Sequence, residues 1–338
     1  IHGEKPSIEI VNLVQFCNNK KIPTVFWNKE DPPNFDLFIS TARLFDYVFT
    51  TDINCVEKYK KMLDHQRVGV LPFAAQPIVH NPLAEKKLNL GTVCFAGTYY
   101  AKKHKERNND LDVILKSSIP FDLHIFDRQL NYYSSDSYLY PSQFQEYIKG
   151  TLNYAQMLTA YKSYKMFINV NSVSDSETMF SRRVFEIMAC NTPVVSTKSI
   201  GISKFFGSLV KMGFNEQEYT QIIGQYAYNE EYRLACAHLG YKFIHNNHTY
   251  KHRFNEILST VGFNVNNDND NNKVVVFTFL NSKELIHNIL SNYRNQTHKT
   301  KELIIINYTD ADLTEFENND VSIYSKKGKI GVLLNKIF

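Results

Sequence analysis

Cysteine is present but never paired: Cys17, Cys55, Cys94, Cys190 and Cys236 are odd in number, far apart and without a C-x-x-C. That spacing argues against a disulfide framework or a structural zinc site and predicts a reducing compartment. Long apolar runs are missing too, since stretches such as Val274–Phe277 fall far short of the ~18–20 residues a membrane span needs. Charge of one sign is also lacking. With 38 basic against 34 acidic residues the net charge is only +4, too little for the field of a dedicated nucleic-acid binder. The sequence has no G-x-x-x-x-G-K followed by Ser or Thr, no G-x-S-x-G and no G-x-G-x-x-G. P-loop phosphotransfer, serine hydrolysis at a nucleophile elbow and dinucleotide binding therefore lose their usual signatures. His248 and His252 stand four apart, but the intervening TYK lacks the Glu of a zinc protease helix. The histidines are expected to be surface or structural groups.

What is present is a globular composition. Hydrophobic residues make up 43% and charged residues 21% of 338, a length suited to two or more domains. The chain begins at Ile1 without Met or a signal-peptide pattern, which predicts a piece of a longer, cytoplasmic, multidomain protein. Its mild positive charge is compatible with docking at the inner face of a membrane, although no amphipathic anchor is evident.

Composition divides the chain. Residues 264–272 read NVNNDNDNN, too polar to bury a core, and predict a linker. Before it, apolar periodicity alternates between strand and helix. Helices are expected at 8–18, 35–43 and 56–63, and strands at 24–27, 47–50 and 69–71. Pro72, Pro77 and Pro82 interrupt this alternation, which then restarts. Strands are expected at 93–96, 123–126, 166–170 and 193–196, with helices at 109–116, 154–161 and 182–189. The expected domains are 1–85, truncated at its start, and 86–263, both doubly wound α/β and facing each other across a cleft. After the linker, residues 273–338 open with a strand, a helix and a second strand, one βαβ unit.

Ligands of open α/β sheets sit beyond the carboxyl ends of the strands. One such loop carries Gly97, Thr98, Tyr99 and Tyr100, then Lys102, Lys103, Lys105 and Arg107, either a phosphate-facing loop or a solvated basic turn. Another leads through Ser181, a good N-cap, into a helix with Arg182 and Arg183 in its first turn. Cations oppose the helix dipole there, so an anionic partner such as a diphosphate is one reading. Glu186 shares their face and can accept hydrogen bonds from a ribose diol; the other reading is an intrahelical Arg182–Glu186 pair worth ~0.3–0.5 kcal/mol. Glu30 and Asp31 end the first strand of the chain, as a general base or as a hydrogen-bonded turn. Asp52 poses the same choice between chemistry and an N-cap.

Several of these segments resemble the CgeB-like (CgeB/YkvP-like, spore-maturation) glycosyltransferases: IPTVFWNKEDPP from Ile22, YVFTTD from Tyr47, LPFAAQP from Leu71, FAGTYY from Phe95, TMFSRRVFEIMACNTPVVS from Thr178 and HTYKHR from His248. The resemblance covers most of residues 8–262 and implies the GT-B fold, two Rossmann-like domains with a sugar nucleotide held mainly by the second. It implies that Glu186, seven residues before Pro193-Val194-Val195, holds the donor ribose, and that Arg182 and Arg183 hold the diphosphate. On this reading Ser181, Tyr99, Lys102 and Arg107 complete the donor site, Asp31 or Glu30 faces the acceptor, and no metal is needed. The tail, with NYRNQT from Asn292, resembles the opening of a GT-A, family-two-type glycosyltransferase, and GKIGVLLNKIF from Gly328 resembles the helix before its D-x-D metal motif. Asp310 and Asp312 come too early to be that motif, so a divalent metal belongs only to the truncated tail module. The implied activity is transfer of a sugar from a nucleotide-diphosphate donor to a glycan, lipid-linked or protein acceptor, in surface polysaccharide or glycoconjugate synthesis. The alternatives are a sugar-nucleotide epimerase of the same fold and a non-catalytic binding or scaffold module.

Overall fold

A computed structural model describes residues 5–83, 89–131, 136–264 and 273–325. Most of the linker, 265–272, and the expected helix from Gly328 lie outside the described residues. The chain forms two compact units, Ile1–Phe263 and Asn264–Phe338.

The first unit holds two parallel sheets. The smaller one orders β1 (Val25–Asn28), β2 (Tyr47–Thr50) and β3 (Val68–Val70), with α1 (Ile8–Asn19) ahead of β1 and α2 (Phe35–Ala42) and α3 (Val56–Leu63) connecting the strands in the chain. Phe26, Phe35, Ala42, Val48, Cys55 and Tyr59 close its core. The larger sheet contains β4 (Gly91–Gly97), β5 (Leu123–Asp127), β6 (Ile148–Gly150), β7 (Tyr164–Asn169), β8 (Val194–Ser196) and β9 (Lys211–Met212). Its spatial order is β6-β5-β4-β7-β8-β9. Successive side chains of a strand leave on opposite faces, and the core divides accordingly. Cys94, Phe167 and Val194 join one cluster, with Phe185, Met188, Phe206 and Ile244 from the helices α6 (Arg183–Ala189), α7 (Ile200–Phe206) and α9 (Glu230–Asn247). Val93, Phe95, Met166, Ile168 and Val195 join the other, with Leu111, Ile114, Ile223 and Tyr226 from α4 (Lys105–Ser118) and α8 (Glu216–Tyr228). A sheet covered on both faces explains why β4 and β7 read as almost unbroken apolar runs.

Side-chain caps start the helices. Asn153 and Gln156 form a capping box before α5 (Tyr154–Ser163), and Ser199, Asn215 and Asn229 accept from backbone N–H groups at the starts of α7, α8 and α9.

The two sheets of this unit are joined by specific polar contacts. Asp52 accepts from the Ser176 hydroxyl at 2.6 Å and from Asn54 N–H at 3.0 Å, so it acts as a cap and as a cross-link. Thr178 Oγ1 donates to the Thr51 carbonyl at 2.9 Å and accepts from Ile53 N–H at 2.9 Å. The last helix, α10 (Tyr250–Val261), returns the chain to the smaller sheet, its Val261 lining a shallow depression with Asn18, Lys21, Ile22 and Pro23. Arg253, only 5% exposed, donates from Nε to the Pro72 carbonyl at 2.8 Å and from Nη2 to the Phe73 carbonyl at 3.1 Å. Its Nη2 also lies 2.7 Å from His248 Nδ1. Burial, then the Arg253 charge, pushes the His248 pKa down to about 4, so the ring is neutral and accepts that bond. Among the described residues no helix is long and apolar enough to cross a membrane.

The second unit orders β10 (Val274–Leu280), β11 (Lys301–Asn307) and β12 (Val321–Ser325) in one parallel sheet, with α11 (Ile286–Arg294) between the first two. Leu280, Ile286, Leu290, Tyr293, Leu303 and Ile305 form its core.

Removing the Arg253 guanidinium leaves two buried carbonyls and a ring nitrogen without their donor. Arg253→Ala is expected to lower stability by about 2–4 kcal/mol, read as a fall in the urea midpoint; an unchanged midpoint would mean the latch carries no net stability.

Candidate functional site

The chain leaves β4 toward β5 and β6 on one side, and leaves β7 toward β8 and β9 on the other. The crevice between the carboxyl ends of β4 and β7 is therefore a topological switch point, the usual ligand position of such sheets. Gly97 is the last residue of β4, and a Cβ there would meet the Phe95 ring at 2.8 Å. The next residue, Thr98, is 3% exposed and its hydroxyl has no partner among the described residues. At the end of β7, Asn169 Nδ2 donates to Ser196 Oγ at 2.9 Å and to Asn171 Oδ1 at 3.1 Å, while Asn169 Oδ1 is buried without a partner among the described residues.

Cations converge on this crevice. Arg183 opens α6 and donates to the Ala96 carbonyl at the end of β4. Arg107, on the first turns of α4, lies with its guanidinium 5.0 Å from the Tyr100 ring centre. Its Nε and Nη1 are buried with no hydrogen-bond partner among the described residues. Burial, and then the charges of Arg183 and Arg128, work against its protonation; Tyr100 and Tyr140 oppose them. Buried guanidinium nitrogens without hydrogen-bond partners are costly, so this arrangement suits an anion.

Glu186 sits one turn along α6 and is 7% exposed. Its Oε2 accepts from the Tyr161 hydroxyl at 3.1 Å, and its Oε1 lies 3.2 Å from Arg182 Nε and 4.0 Å from His80 Nε2. His80 Nδ1 accepts from Gln76 N–H at 3.0 Å, which leaves the proton of the neutral ring on Nε2, facing the carboxylate. The intrahelical Arg182–Glu186 pair thus forms, but with Glu186 buried rather than on a solvated face.

The other expected residues are placed differently. Arg182 itself takes the N-cap position of α6 in helical dihedrals, and no side chain caps the helix; the Ser181 carbonyl, not its hydroxyl, serves the turn by accepting from Val184 N–H at 3.2 Å. Ser181 is therefore corrected from N-cap to turn residue. The Tyr99 ring packs in the core 5.3 Å from Tyr140, and its hydroxyl reaches Asp112 at 3.4 Å, so it does not close over the crevice. Lys102 is exposed on the turn before α4. Asp31 is 0% exposed: Asn28 Nδ2 and the Tyr59 hydroxyl donate to Oδ1 at 2.8 and 3.3 Å, and the Thr50 hydroxyl donates to Oδ2 at 2.6 Å. No oxygen faces an acceptor, and the turn-anchor reading replaces the base. Glu30 is exposed beside it.

Sequence reasoning passed over Lys29. Its ammonium group lies 4.0 Å from the Trp27 ring centre and 4.9 Å from that of Tyr250. Among the described residues no three His, Cys, Asp or Glu side chains converge as metal ligands. A cavity of about 660 Å³ lies at the opposite end of the sheet, between Lys162, Lys165, Asn191 and Arg233. Both lysines there are already bound to carbonyls, Lys162 to Leu83 at 2.7 Å and Lys165 to Ala227 at 3.1 Å, so the crevice is the stronger candidate despite that volume.

Residues 118–259 match a family model described as "Glycosyl transferase-like". No curated protein sequence matches the chain. Among solved structures, HepE from Anabaena in complex with UDP-glucose aligns with a TM-score of 0.51 at 12% identity, over 75% of this chain and 75% of that one. A glycosyltransferase from Rickettsia africae aligns with a TM-score of 0.50 at 11% identity, over 75% and 79%. The fold is GT-B. TarM aligns over 72% of this chain at 13% identity and a TM-score of 0.48, and this chain spans 51% of its length.

Asp31 has its pKa raised to about 6, chiefly by burial, against the hydrogen bonds from Thr50 and Tyr59. The folded protein then binds this proton more tightly than the unfolded chain, so stability falls as pH rises from about 4 to about 6. The two ends differ by about 3 kcal/mol for this one group. Urea titrations at pH 4, 5, 6 and 7 should show that loss in the wild type and its absence in Asp31→Asn; equal pH slopes would contradict it.

Proposed function

We propose that the first unit is a glycosyltransferase that takes its sugar from a nucleotide-diphosphate donor bound at the β4–β7 crevice. The observation that carries this reading is the convergence of Arg183 and the partly unpartnered, buried Arg107 guanidinium on the switch point. In the transfer, the bond between the sugar's anomeric carbon and the diphosphate breaks and a bond to an acceptor hydroxyl oxygen forms. The hydroxyl loses its proton, and negative charge builds on the leaving diphosphate. Two guanidinium groups fixed in a half-buried crevice stabilise that charge as it develops. Glu186, oriented by Tyr161 and Arg182, accepts from the ribose diol. Thr98 and Asn169, each with a buried oxygen unpartnered among the described residues, are available to the donor at the ends of the two strands.

The finer reading is a CgeB-like enzyme with its donor half at 86–263 and its acceptor half at 1–85, supported by the ordered motifs from Ile22 to Arg253. Donor binding is proposed to need no metal, because Arg107 and Arg183 already supply positive charge. The acceptor is proposed to be a glycan, lipid-linked or protein group, in surface polysaccharide or glycoconjugate synthesis. The parallel β10-α11-β11-β12 arrangement supports reading the second unit as the opening of a GT-A-like domain, where a divalent metal would belong.

Thermal-shift and calorimetric titrations with UDP, GDP, ADP and TDP, with and without Mg²⁺, test the donor site. One of them is expected to stabilise the wild type without metal, with affinity about 10–100-fold weaker in Glu186→Ala and in Arg183→Met. Failure of all four to bind the wild type would exclude this reading.

A further inference from the structure

We propose that Lys29 is part of the diphosphate site: its ammonium group binds the donor's leaving diphosphate from the smaller sheet, opposite Arg182. This rests on the crevice being the donor site. Three observations carry it.

Lys29 is the first residue beyond β1, and the turn that presents it is fixed from below by Asp31, whose carboxylate takes hydrogen bonds from Asn28, Thr50 and Tyr59. Its head group rests on two rings from opposite ends of the unit's sequence, Trp27 of β1 and Tyr250 at the start of α10. Trp27 is itself held by Nε1–H donating to the Leu71 carbonyl at 3.0 Å, and the two rings meet edge to face at 6.1 Å. Lys29 is thereby positioned rather than free to swing with solvent.

The charges around it are the second observation. Among the described residues Lys29 makes no ion pair, and the charged neighbour that acts on it most is Arg182, another cation. Burial and that repulsion both lower its pKa. Arg182 in turn is tied at 3.2 Å to Glu186, which leaves that carboxylate already engaged. The carboxyl end of β1 adjoins that of β2 at Asn28–Thr50, and the residues that follow bind the segment before α6 through Asp52–Ser176 and Thr51–Thr178, so Lys29 stands on the side of the smaller sheet that is joined to the segment leading to Arg182.

Third, the chemistry of the ligand matches the layout. Glu186, the residue placed for the ribose, binds Arg182 directly, and the Arg182 charge acts on Lys29. A nucleoside diphosphate has its charge next to its ribose and carries it on two phosphates, so it can bridge the two cations. The aromatic rings hold the ammonium in place until the anion arrives.

The probe is Mg²⁺-free inorganic pyrophosphate, alongside UDP, GDP, ADP and TDP and the phosphate-free nucleosides, titrated by calorimetry against the full chain. Lys29→Met is expected to weaken pyrophosphate and the preferred nucleoside diphosphate by about tenfold. It should leave the matching nucleoside unchanged, and Lys29→Arg should keep most of the affinity. If Lys29→Met binds pyrophosphate and the diphosphate as the wild type does, while Arg183→Met loses them, Lys29 is a packing cation and the proposal fails alone. If the wild type binds none of these anions, the donor-site reading falls and takes the proposal with it. A melting curve without ligand confirms that Lys29→Met is folded.

Discussion

Arg183 and Arg107 are both held beside the carboxyl end of β4, half-buried and close enough for each charge to act against the other. Bringing like charges together in a protein interior is unfavourable, and the rest of the first unit is arranged so that they stay there. The Ala96 carbonyl and the Tyr100 ring hold one guanidinium group each. Two apolar clusters, one on each face of the six-stranded sheet, anchor the strands and helices that carry them. Folding stability is drawn from those clusters, where each fully buried Phe, Leu or Ile contributes roughly 1.5–3 kcal/mol. Functional sites commonly hold groups in states that are unfavourable by themselves.

Around these cations the polar groups divide into two kinds. Some are saturated: Asp31 has three donors, Asp52 joins the two sheets, and the Asn171 side chain donates to Ser196 and to the Thr197 carbonyl. Others have no hydrogen-bond partner among the described residues, namely Thr98 Oγ1, Asn169 Oδ1 and two nitrogens of Arg107. The saturated groups fix geometry. The open ones, together with Glu186, are what a ligand would meet.

The strands with strong β-branched or aromatic patterns were legible in the sequence, including β2 at its observed bounds and β4, β5 and β7 within three residues. The edge strands β6 and β9 were not, because three and two residues cannot display a period. Helix α9 escaped for a related reason: only Ala237, Gly240 and Ile244 are buried along its 18 residues, so its apolar stripe is narrow. Of the site, the local part was readable, since Arg182 and Glu186 are one helical turn apart. The direction of Tyr99 was not, because Tyr140 and Asp112 set it. Lys29 was missed since what marks it, Tyr250 and Arg182, lies more than 150 residues away in sequence and beside it only in space. The carboxylates next to it drew attention as chemistry, and one of them proved to be scaffold.

The chain crosses between the two sheets of the first unit at residues 71–75 and again at 248–250, and the crossings lie side by side. Ala75 N–H donates to the His248 carbonyl at 2.9 Å, Tyr250 N–H donates to the Ala75 carbonyl at 3.0 Å, and Arg253 binds the carbonyls of Pro72 and Phe73. A single covalent connection would let one half twist, tilt and slide against the other. Two crossings bound to each other restrain those motions more than one would, and the Asp52–Ser176 and Thr51–Thr178 bonds add a second restraint away from them. Any ligand that touched both halves would therefore meet surfaces whose relative placement the chain has already narrowed.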